Sequence, residues 1–304
     1  MLSITISTYN RQYLLKNSLQ SFKNSSFNNY EIIVIDQSQN NLSQFITKSL
    51  NFNSINIRYF KIKRRNLSYA RSLGVKLSKG NIVAFTDDDC IVSKNWLKNI
   101  VQTFKKNQDI VGVFGKVLPY KPQLKKGKIC PCTFLNNQKR IISKPCLHSK
   151  NIGFGNNMAF RREIFEKVGR FKEWLGPGSI GSNAEDAEFA LRILSKGYKI
   201  LYNPKIKAYH NRWLTKEEFR KQQLSYACGE VACYGFFAFQ GKKFAKRVMV
   251  NNFKDSYEKF RKSLELIFSL KKYGLLLFIH TLEEFYFRLR GLMISFYFSK
   301  REPL

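Results

Sequence analysis

Residues 81–89, NIVAFTDDD, are the clearest indication of the fold class in this chain. The first six of them, residues 81–86, are mostly apolar or β-branched, and Asp87, Asp88 and Asp89 follow directly. A nearly continuous apolar run is typical of a strand covered on both faces, as in a parallel sheet. Because ligands bind at the carboxyl ends of such strands, the three aspartates predict a functional site at one edge of a sheet.

Strands and helices alternate on both sides of this stretch. The predicted strands are residues 2–7, 31–36, 55–62, 81–86 and 110–118, and the predicted helices are residues 13–22, 67–77 and 96–104. This alternation predicts an α/β fold, with a mostly parallel sheet that has helices on both faces. The polar turn at residues 8–11 and Asp36 would then lie at the same sheet edge as the aspartates.

The pattern changes after Pro119. A basic loop with prolines and cysteines extends to about residue 149. Residues 151–160 are strand-like, and residues 161–168 and 184–194 are predicted helices. More strand continues to about His210, and the chain from residue 215 onward is predicted to be helical. We therefore expect an α/β domain over residues 1–214 and a basic helical region over residues 215–304.

The chain is strongly basic. Its 304 residues include 53 Lys and Arg against 21 Asp and Glu, which gives a formal net charge of +32. Such a charge attracts nucleic acid, an anionic membrane surface or phosphorylated small molecules. A nucleic-acid-binding protein is therefore an alternative function. However, no nucleic-acid-binding motif is recognisable and the charge is spread along the whole chain, so no nucleic-acid partner is expected.

Composition excludes several classes of protein. With 44% hydrophobic and 15% aromatic residues, intrinsic disorder is not expected. Six cysteines are too few for a disulfide scaffold, and the N-terminal residues lack a signal-peptide pattern, so we expect a cytoplasmic protein. No uncharged apolar run reaches the roughly 20 residues of a membrane span. The most apolar stretch, residues 275–298, suits either an interfacial helix on anionic lipid or a helix packed on the core.

The carboxylates fall into two groups that could carry chemistry. Mg²⁺ and Mn²⁺ prefer carboxylate oxygens, and alternate residues of an extended segment point the same way, so Asp87 and Asp89 could share a cation. A solvated acidic loop is the alternative. Glu185 and Asp186 open a predicted helix, where a carboxylate could be a general base or could merely favour the helix dipole.

Five features, in chain order, resemble those of family-2 glycosyltransferases. They are the segment ISTYNR at residues 6–11, Asp36, the segment NLSYAR at residues 66–71 with Gly74, the aspartate triplet, and Glu185-Asp186. The resemblance covers about residues 1–212 and implies the GT-A fold, with a Rossmann-like, mixed and mostly parallel sheet flanked by helices. It also implies an inverting, metal-dependent transfer of a sugar from a nucleoside-diphosphate sugar, with a UDP-sugar favoured, to a hydroxyl of a glycan or lipid-linked acceptor in surface polysaccharide synthesis. Of the Gln-x-x-Arg-Trp motif of processive relatives only Arg212-Trp213 is present, which indicates a non-processive enzyme.

The resemblance also implies a role for each motif residue. Those expected to contact the nucleotide sugar are Thr8, Tyr9, Arg11, Asp36, Arg71, Asp87 and Asp88. Those expected to hold Mn²⁺ or Mg²⁺ are Asp87, Asp89 and His210. Those expected to line the sugar and acceptor pocket are Gly155, Asn156, Asn157 and Glu185. Asp186 is the expected base that deprotonates the acceptor hydroxyl.

Several alternatives stay open. Arg71 could be an ordinary surface arginine, and His210 a structural histidine. The cysteines of the basic loop, Cys130, Cys132 and Cys146, could bind zinc with His148, but a Cys-x-Cys pair is cramped around one tetrahedral ion, so free thiols in an acceptor-side loop are favoured. A nucleotidyltransferase would want a glycine-rich loop after the first strand, which residues 7–11 lack. A catalytically inactive relative is disfavoured by the intact aspartates.

Overall fold

The structure is a computed structural model that describes residues 1–50, 56–145, 151–269 and 273–303. Within these residues the strands are β1 Leu2–Thr8, β2 Tyr30–Asp36, β3 Asn56–Lys61, β4 Ile82–Asp87, β5 Cys90–Val92, β6 Ile110–Pro119, β7 Arg140–Ile142, β8 Asn157–Arg161 and β9 Lys199–His210. The helices are α1 Gln12–Gln20, α2 Leu42–Ser49, α3 Leu67–Leu77, α4 Trp96–Lys106, α5 Ile164–Val168, α6 Glu185–Ser195, α7 Lys216–Phe239, α8 Lys243–Phe268 and α9 Gly274–Ser299.

The strands form one mixed sheet in the order β3-β2-β1-β4-β8-β6-β9-β5, with β7 also paired to β9. Strands β1 to β4 pair in parallel, and so do β6 and β9. Strand β8 is antiparallel to both of its neighbours, and β5 and β7 are antiparallel to β9. The predicted α/β class with a mixed sheet is therefore confirmed.

The register of the parallel strands brings their carboxyl ends together. Thr8 at the end of β1 pairs with Asp36 at the end of β2, and Ser7 pairs with Asp87 at the end of β4. Strand β2 is buried along its whole length, as its continuous apolar run predicts. The polar turn after β1 and the aspartates after β4 thus lie at one edge of the sheet, as expected from the sequence.

The segment NLSYAR begins a helix for identifiable reasons. Asn66 caps α3, because its side-chain oxygen accepts a hydrogen bond from the backbone N–H of Tyr69 at 2.8 Å. A Cβ at Gly74 would lie 2.1 Å from the Thr5 side chain, so only glycine lets α3 approach β1 this closely. The predicted bounds of this helix, residues 67–77, are those observed.

Other predicted elements differ from the structure. The strand expected from residue 151 begins only at Asn157, because a turn that includes Gly153 at φ 139° precedes it. The helix expected from residue 161 begins at Ile164. Three short elements, α2, β5 and β7, were not predicted, since each is too short or too polar to show a periodic apolar pattern.

The C-terminal helices pack onto the α/β domain. A capping box of Thr215 and Glu218 starts α7, so the helical region begins where the sequence predicts. One apolar cluster joins residues of the sheet and α6 with residues of α7, α8 and α9. For example, the ring of Trp174 stacks on that of Phe298, with centroids 4.7 Å apart. No helix within the described residues has both the length and the apolar composition needed to cross a membrane.

A buried arginine of α6, Arg192, fastens that helix to the end of α5 and is paired with Glu188 of the same helix. Both side chains are almost fully buried, and the Arg192 guanidinium donates two hydrogen bonds of 2.8 Å to the Glu188 carboxylate. Arg192 also donates to the backbone carbonyls of Val168 and Arg170. The acid at position 188 therefore stabilises the fold, although it is only two residues from Asp186.

Replacing Glu188 with glutamine should lower the free energy of unfolding by about 3–5 kcal/mol, because it leaves the Arg192 charge buried without its counter-ion. Urea unfolding followed by circular dichroism measures this. A matched control is Glu163→Gln, which breaks the exposed pair of Glu163 and Lys167 and should change stability by less than about 0.5 kcal/mol. Equal effects of the two substitutions would contradict the assignment.

Candidate active site

A cavity of about 770 Å³ opens at the carboxyl edge of the parallel strands. Most of the site residues expected from the sequence line it: Thr8, Tyr9, Arg11, Arg71, Asp87, Asp88, Asp89, Gly155, Asn156, Glu185, Asp186 and His210. They come from the ends of β1, β4 and β9, from α3, from the turn before β8 and from the start of α6. The fold thus gathers into one cavity residues that are up to about two hundred positions apart in sequence, as the strand pattern predicts.

The three aspartates occupy different environments. The side chain of Asp87 is 33% exposed, whereas Asp88 and Asp89, in the tight turn between β4 and β5, are buried. Thr8 Oγ1 donates to Asp88 Oδ2 at 2.7 Å, and Arg11 Nη1 lies 3.3 Å from Asp88 and 2.9 Å from Asp89. A solvated acidic loop is therefore excluded.

Burial and neighbouring charges move the pKa values of the two buried aspartates in opposite directions. Burial, followed by the charge of Asp89, raises the pKa of Asp88 to about 7, although Arg11 opposes this. Burial alone would also raise the pKa of Asp89, but His210, Arg11 and Arg212 outweigh it and lower that pKa to about 2. Of the two buried aspartates, Asp89 is consequently the one whose charged form is favoured.

His210 lies at the end of β9, next to Asp89. Its Nδ1 donates a hydrogen bond to the backbone carbonyl of Pro131 at 2.7 Å, which directs Nε2 towards Asp89 Oδ1 at 3.3 Å. Burial lowers the pKa of His210, but the charge of Asp89 outweighs burial and raises it well above its usual value. An imidazole whose second nitrogen is held by a carbonyl is the usual arrangement of a metal-binding histidine.

A divalent cation fits this group of side chains. Ligand atoms of Asp89, Cys90 and His210 lie within 4.8 Å of one another, and Asp87 lines the same cavity. Carboxylate oxygen and imidazole nitrogen suit Mn²⁺, whereas a thiol suits softer ions. We therefore count Asp87, Asp89 and His210 as candidate ligands, and we set Cys90 aside because its sulfur is the softer donor.

Arg71 connects three parts of the site. Its Nη1 lies 2.5 Å from Glu185 Oε1, and its Nη2 lies 3.0 Å from Asp87 Oδ1 and donates to the Gly155 carbonyl at 3.2 Å. Only 3% of Arg71 is exposed, so it is not a surface arginine. Burial, with the charge of Asp186 adding to it, raises the pKa of Glu185 to about 7 against the opposing charge of Arg71.

Asp186 is held rigidly in the first turn of α6. Its Oδ2 accepts a hydrogen bond from the Gly155 N–H at 2.5 Å, and its Oδ1 accepts one from the Ala187 N–H at 2.8 Å. A Cβ at Gly155 would lie 2.8 Å from Arg71 Nη1 and 2.9 Å from Asp186 Oδ2. Position 155 therefore has room for glycine only, which explains why a glycine precedes β8 here.

Two of the expected site residues are turned away from the cavity. Asp36 is buried, and its carboxylate accepts hydrogen bonds from the Ser38 N–H at 2.8 Å and the Tyr59 hydroxyl at 2.5 Å. Asn157 accepts a hydrogen bond from the indole of Trp96 at 2.8 Å and donates to the backbone carbonyls of Lys116 in β6 and Ile206 in β9. Asn157 thus supports the wall of the cavity from behind, and the residue that follows Asp36, Gln37, faces the cavity instead.

The sequence did not predict that the C-terminal helices would form one wall of the cavity. This wall comes from Phe219, Arg220, Gln222, Gln223, Tyr226 and Glu230 of α7, Lys259 of α8, and His280, Glu284 and Arg288 of α9. Two buried polar atoms of this wall, Gln222 Oε1 and Arg288 Nη1, have no hydrogen-bond partner among the described residues. The helical spacing of Phe219, Gln222, Tyr226 and Glu230 is the signal that could have revealed this face.

The cysteine loop contributes to the cavity without forming a metal site among the described residues. Cys130 and Cys132 are free thiols that line the cavity, and Cys132 Sγ lies 2.9 Å from the Tyr226 hydroxyl. Neither belongs to the group of three potential ligands described above. Cys146 and His148, the other residues considered for zinc, lie outside the described residues.

Comparisons with known proteins agree with this geometry. Residues 3–169 match the family model described as glycosyl transferase family 2. The chain is 28% identical over 162 residues to a glucosyl-dolichyl phosphate glucuronosyltransferase of Haloferax volcanii; the match covers 52% of this chain and 51% of that protein. The chain thus spans about half the length of this curated relative.

Two solved structures share the fold. The mannosyltransferase PcManGT from Pyrobaculum calidifontis, in complex with GDP-Man and Mn²⁺, has a TM-score of 0.63 at 15% identity, over 96% of this chain and 86% of that one. TarS 1-349 of S. aureus, in complex with UDP-GlcNAc, has a TM-score of 0.54 at 16% identity, over 97% of this chain and 91% of that one. At these identities the likeness establishes the fold alone.

Proposed function

Since the chain belongs to glycosyl transferase family 2 and is a glycosyltransferase, we propose that it is an inverting, metal-dependent and non-processive enzyme. It transfers a sugar from a nucleoside-diphosphate sugar, with UDP favoured, to a hydroxyl of a glycan or lipid-linked acceptor in surface polysaccharide synthesis. The observation that carries the proposal is that one cavity holds both a rigidly placed aspartate, Asp186, and side chains that suit a divalent cation, namely Asp89 and His210, which lie close together, and Asp87, which lines the same cavity.

The chemistry follows from these positions. Asp186 takes the proton of the acceptor hydroxyl while that oxygen forms its bond to the anomeric carbon. The bond from the anomeric carbon to the diphosphate breaks on the opposite face, so the anomeric configuration inverts. The negative charge leaves with the nucleoside diphosphate. Arg11, which lies beside Asp88 and Asp89, is the cation that we assign to the diphosphate.

Asp87, Asp89 and His210 would hold Mn²⁺ or Mg²⁺, which when bound neutralises the charge of the departing diphosphate. Arg71 keeps the proposed metal ligands and the base in a fixed relation. It contacts Asp87, the Gly155 carbonyl and Glu185, which precedes Asp186 in the chain. Glu185 is the less suitable base, because its carboxylate is buried and paired with Arg71 at 2.5 Å.

The wall formed by α7, α8 and α9 is where we place the acceptor. It lines the same cavity as the aspartates and presents the unpartnered polar atoms of Gln222 and Arg288. Buried polar atoms without partners are costly unless a ligand satisfies them. A lipid-linked acceptor agrees with the name of the Haloferax volcanii relative, a glucosyl-dolichyl phosphate glucuronosyltransferase, and it would place the enzyme at the cytoplasmic face of a membrane.

The test is a thermal-shift panel with UDP, GDP and TDP, each with Mn²⁺ and with EDTA. One diphosphate should raise the melting temperature in the presence of Mn²⁺ and should have little effect in EDTA. At a concentration of 100 times its Kd, bound nucleotide adds about 2.7 kcal/mol to the free energy of unfolding. No shift with any nucleotide would contradict the proposal. Salt-dependent binding to nucleic acid would then favour the alternative function.

A further inference from the structure

Helix α9 turns its apolar side outward. Seven apolar side chains, spaced alternately by four and three residues and each 39–65% exposed, form what we call the outer stripe: Leu275, Ile279, Leu282, Tyr286, Leu289, Met293 and Phe296. An average spacing of 3.5 residues aligns them along one side of the helix. At 1.5 Å per residue, the outer stripe is about 30 Å long.

The inward side of α9 mixes small, polar and apolar residues. Its buried residues include Thr281, Arg288, Gly291, Ile294 and Ser295, and Phe287 and Phe298 pack partly buried against the core. A Cβ at position 291 would lie 2.4 Å from the carbonyl oxygen of Cys228, so glycine lets α9 pack directly against the backbone of α7. A surface helix of a water-soluble domain normally exposes a polar side. Because α9 instead exposes the seven apolar side chains of the outer stripe, a second apolar environment outside the chain is indicated.

An apolar groove extends the outer stripe. It has a volume of about 610 Å³ and lies between α7, α8 and α9, where its lining includes Phe239, Met249, Val250, Phe253 and Leu292. The rings of Phe239 and Phe296 are in contact, with centroids 5.3 Å apart, so the groove and the outer stripe are continuous. Exposed apolar surfaces of this extent mark protein or membrane interaction sites.

The residues beside the outer stripe argue against a second copy of the chain as its partner. A coiled-coil dimer is usually specified by charged residues on both sides of its apolar seam. On one side of the outer stripe the residues are apolar: Phe278, Phe285 and Leu292. On the other side, Glu283 is already paired with Arg220, and Arg290 donates to the Ile180 carbonyl at 3.0 Å. No set of charges is left to pair with a second α9.

The charge around the outer stripe suits an anionic lipid surface. Residues 242–304 contain 14 Lys and Arg against 6 Asp and Glu. At the C-terminal end of the helix, the Lys300 ammonium lies 4.1 Å from the centre of the Phe296 ring and the Arg301 guanidinium 3.6 Å from that of Tyr297. Apolar and aromatic side chains bordered by cations are typical of a helix lying in the headgroup region of an anionic membrane.

We propose that α9 lies in the interface of a membrane containing anionic lipid, with the outer stripe facing the acyl chains. The inward side of the same helix supplies His280, Glu284 and Arg288 to the cavity wall. Docking would therefore bring the cavity to the lipid surface, where a lipid-linked acceptor lies. The docking surface itself does not depend on the proposed acceptor, since its binding requires neither nucleotide sugar nor turnover.

Sedimentation with vesicles tests this surface on the full chain. The protein should pellet with vesicles of phosphatidylglycerol and phosphatidylcholine and much less with phosphatidylcholine alone. The double variant Leu282→Glu/Met293→Glu should bind the mixed vesicles at least about tenfold more weakly, because two apolar side chains no longer enter the lipid. Both positions are exposed, so the melting temperature should stay close to that of the wild type.

A matched control is Phe45→Glu/Leu124→Glu, which puts the same two charges at exposed apolar positions away from α9. This control should bind the mixed vesicles as the wild type does. Equal binding by the wild type and the outer-stripe variant would overturn the proposal. A wild-type dimer in light scattering that the outer-stripe variant converts to a monomer, without vesicle binding by either, would instead assign the surface to a second copy.

Discussion

Replacing Asp186 with asparagine should lower kcat by about 10²–10⁴-fold, because the amide cannot take the proton of the acceptor hydroxyl. Asparagine has nearly the same shape and can still accept the Gly155 N–H bond, so the site should keep its geometry. The measurement is the steady-state release of nucleoside diphosphate, with the donor that the thermal-shift panel identifies. We expect the melting-temperature shift caused by that nucleotide to be unchanged, since Asp186 is assigned to the acceptor hydroxyl and not to the nucleotide.

Two further variants make this test specific. Asp109→Asn removes an exposed carboxylate that is paired with Lys199 far from the cavity, and it should leave kcat unchanged. Glu185→Gln alters the neighbouring acid, which is paired with Arg71, and should have a much smaller effect on kcat than Asp186→Asn. A loss for Glu185→Gln as deep as that for Asp186→Asn, at unchanged melting temperature, would move the role of base to Glu185.

The acids near the start of α6 show what a sequence can and cannot predict. Glu185, Asp186 and Glu188 look alike in the sequence as an acidic cluster at a helix start. Successive residues of a helix are about 100° apart around its axis, so the three side chains point in different directions. Their partners, Arg71 for Glu185, Gly155 for Asp186 and Arg192 for Glu188, come from separate elements or the next turn.

For the rest of the site, local patterns were predictable and long-range contacts were not. The aspartate triplet was predictable, because a buried strand ending in three carboxylates is a local pattern whose place in a parallel sheet is fixed. The inward turn of Asn157 was not, because it depends on Trp96, about sixty positions earlier in the chain. The helical wall of the cavity depends on how long helices pack, and no local pattern specifies which of their polar residues face the active site.

The outer stripe of α9 was predictable in part: the sequence shows its spacing but not its orientation. Its spacing is visible in the sequence, and the two readings of residues 275–298, an interfacial helix and a helix packed on the core, were both predictable. The structure shows that α9 packs on α7 with a side that mixes small, polar and apolar residues. Packing on the core therefore accounts for one side of the helix only. Because sequence periodicity alone does not tell which side faces inward, the exposed apolar side required the structure.

Replacing Asp89 with asparagine should abolish the Mn²⁺-dependent part of nucleotide binding and lower kcat/KM by about 10³-fold or more. A bound divalent cation supplies several kcal/mol of charge stabilisation, and each 1.36 kcal/mol is a factor of ten in rate. The charges of His210, Arg11 and Arg212 lower the pKa of Asp89 to about 2 against the effect of burial, and its Oδ1 lies 3.3 Å from His210 Nε2. The melting-temperature shift with nucleotide should become the same in Mn²⁺ and in EDTA.

Two further variants test whether the loss of Mn²⁺-dependent binding in Asp89→Asn reflects the proposed ligands. Cys90→Ser should keep the Mn²⁺-dependent shift, because a hard cation takes carboxylate and imidazole in preference to a thiol. His210→Gln should weaken the shift while Asp109→Asn leaves it intact. If Cys90→Ser removed the Mn²⁺ dependence, Cys90 would belong to the ligand set and a softer cation would be indicated. If Asp89→Asn kept the full Mn²⁺ dependence and activity, the aspartate triplet would not hold the cation, and the proposed metal dependence would have to rest on other residues.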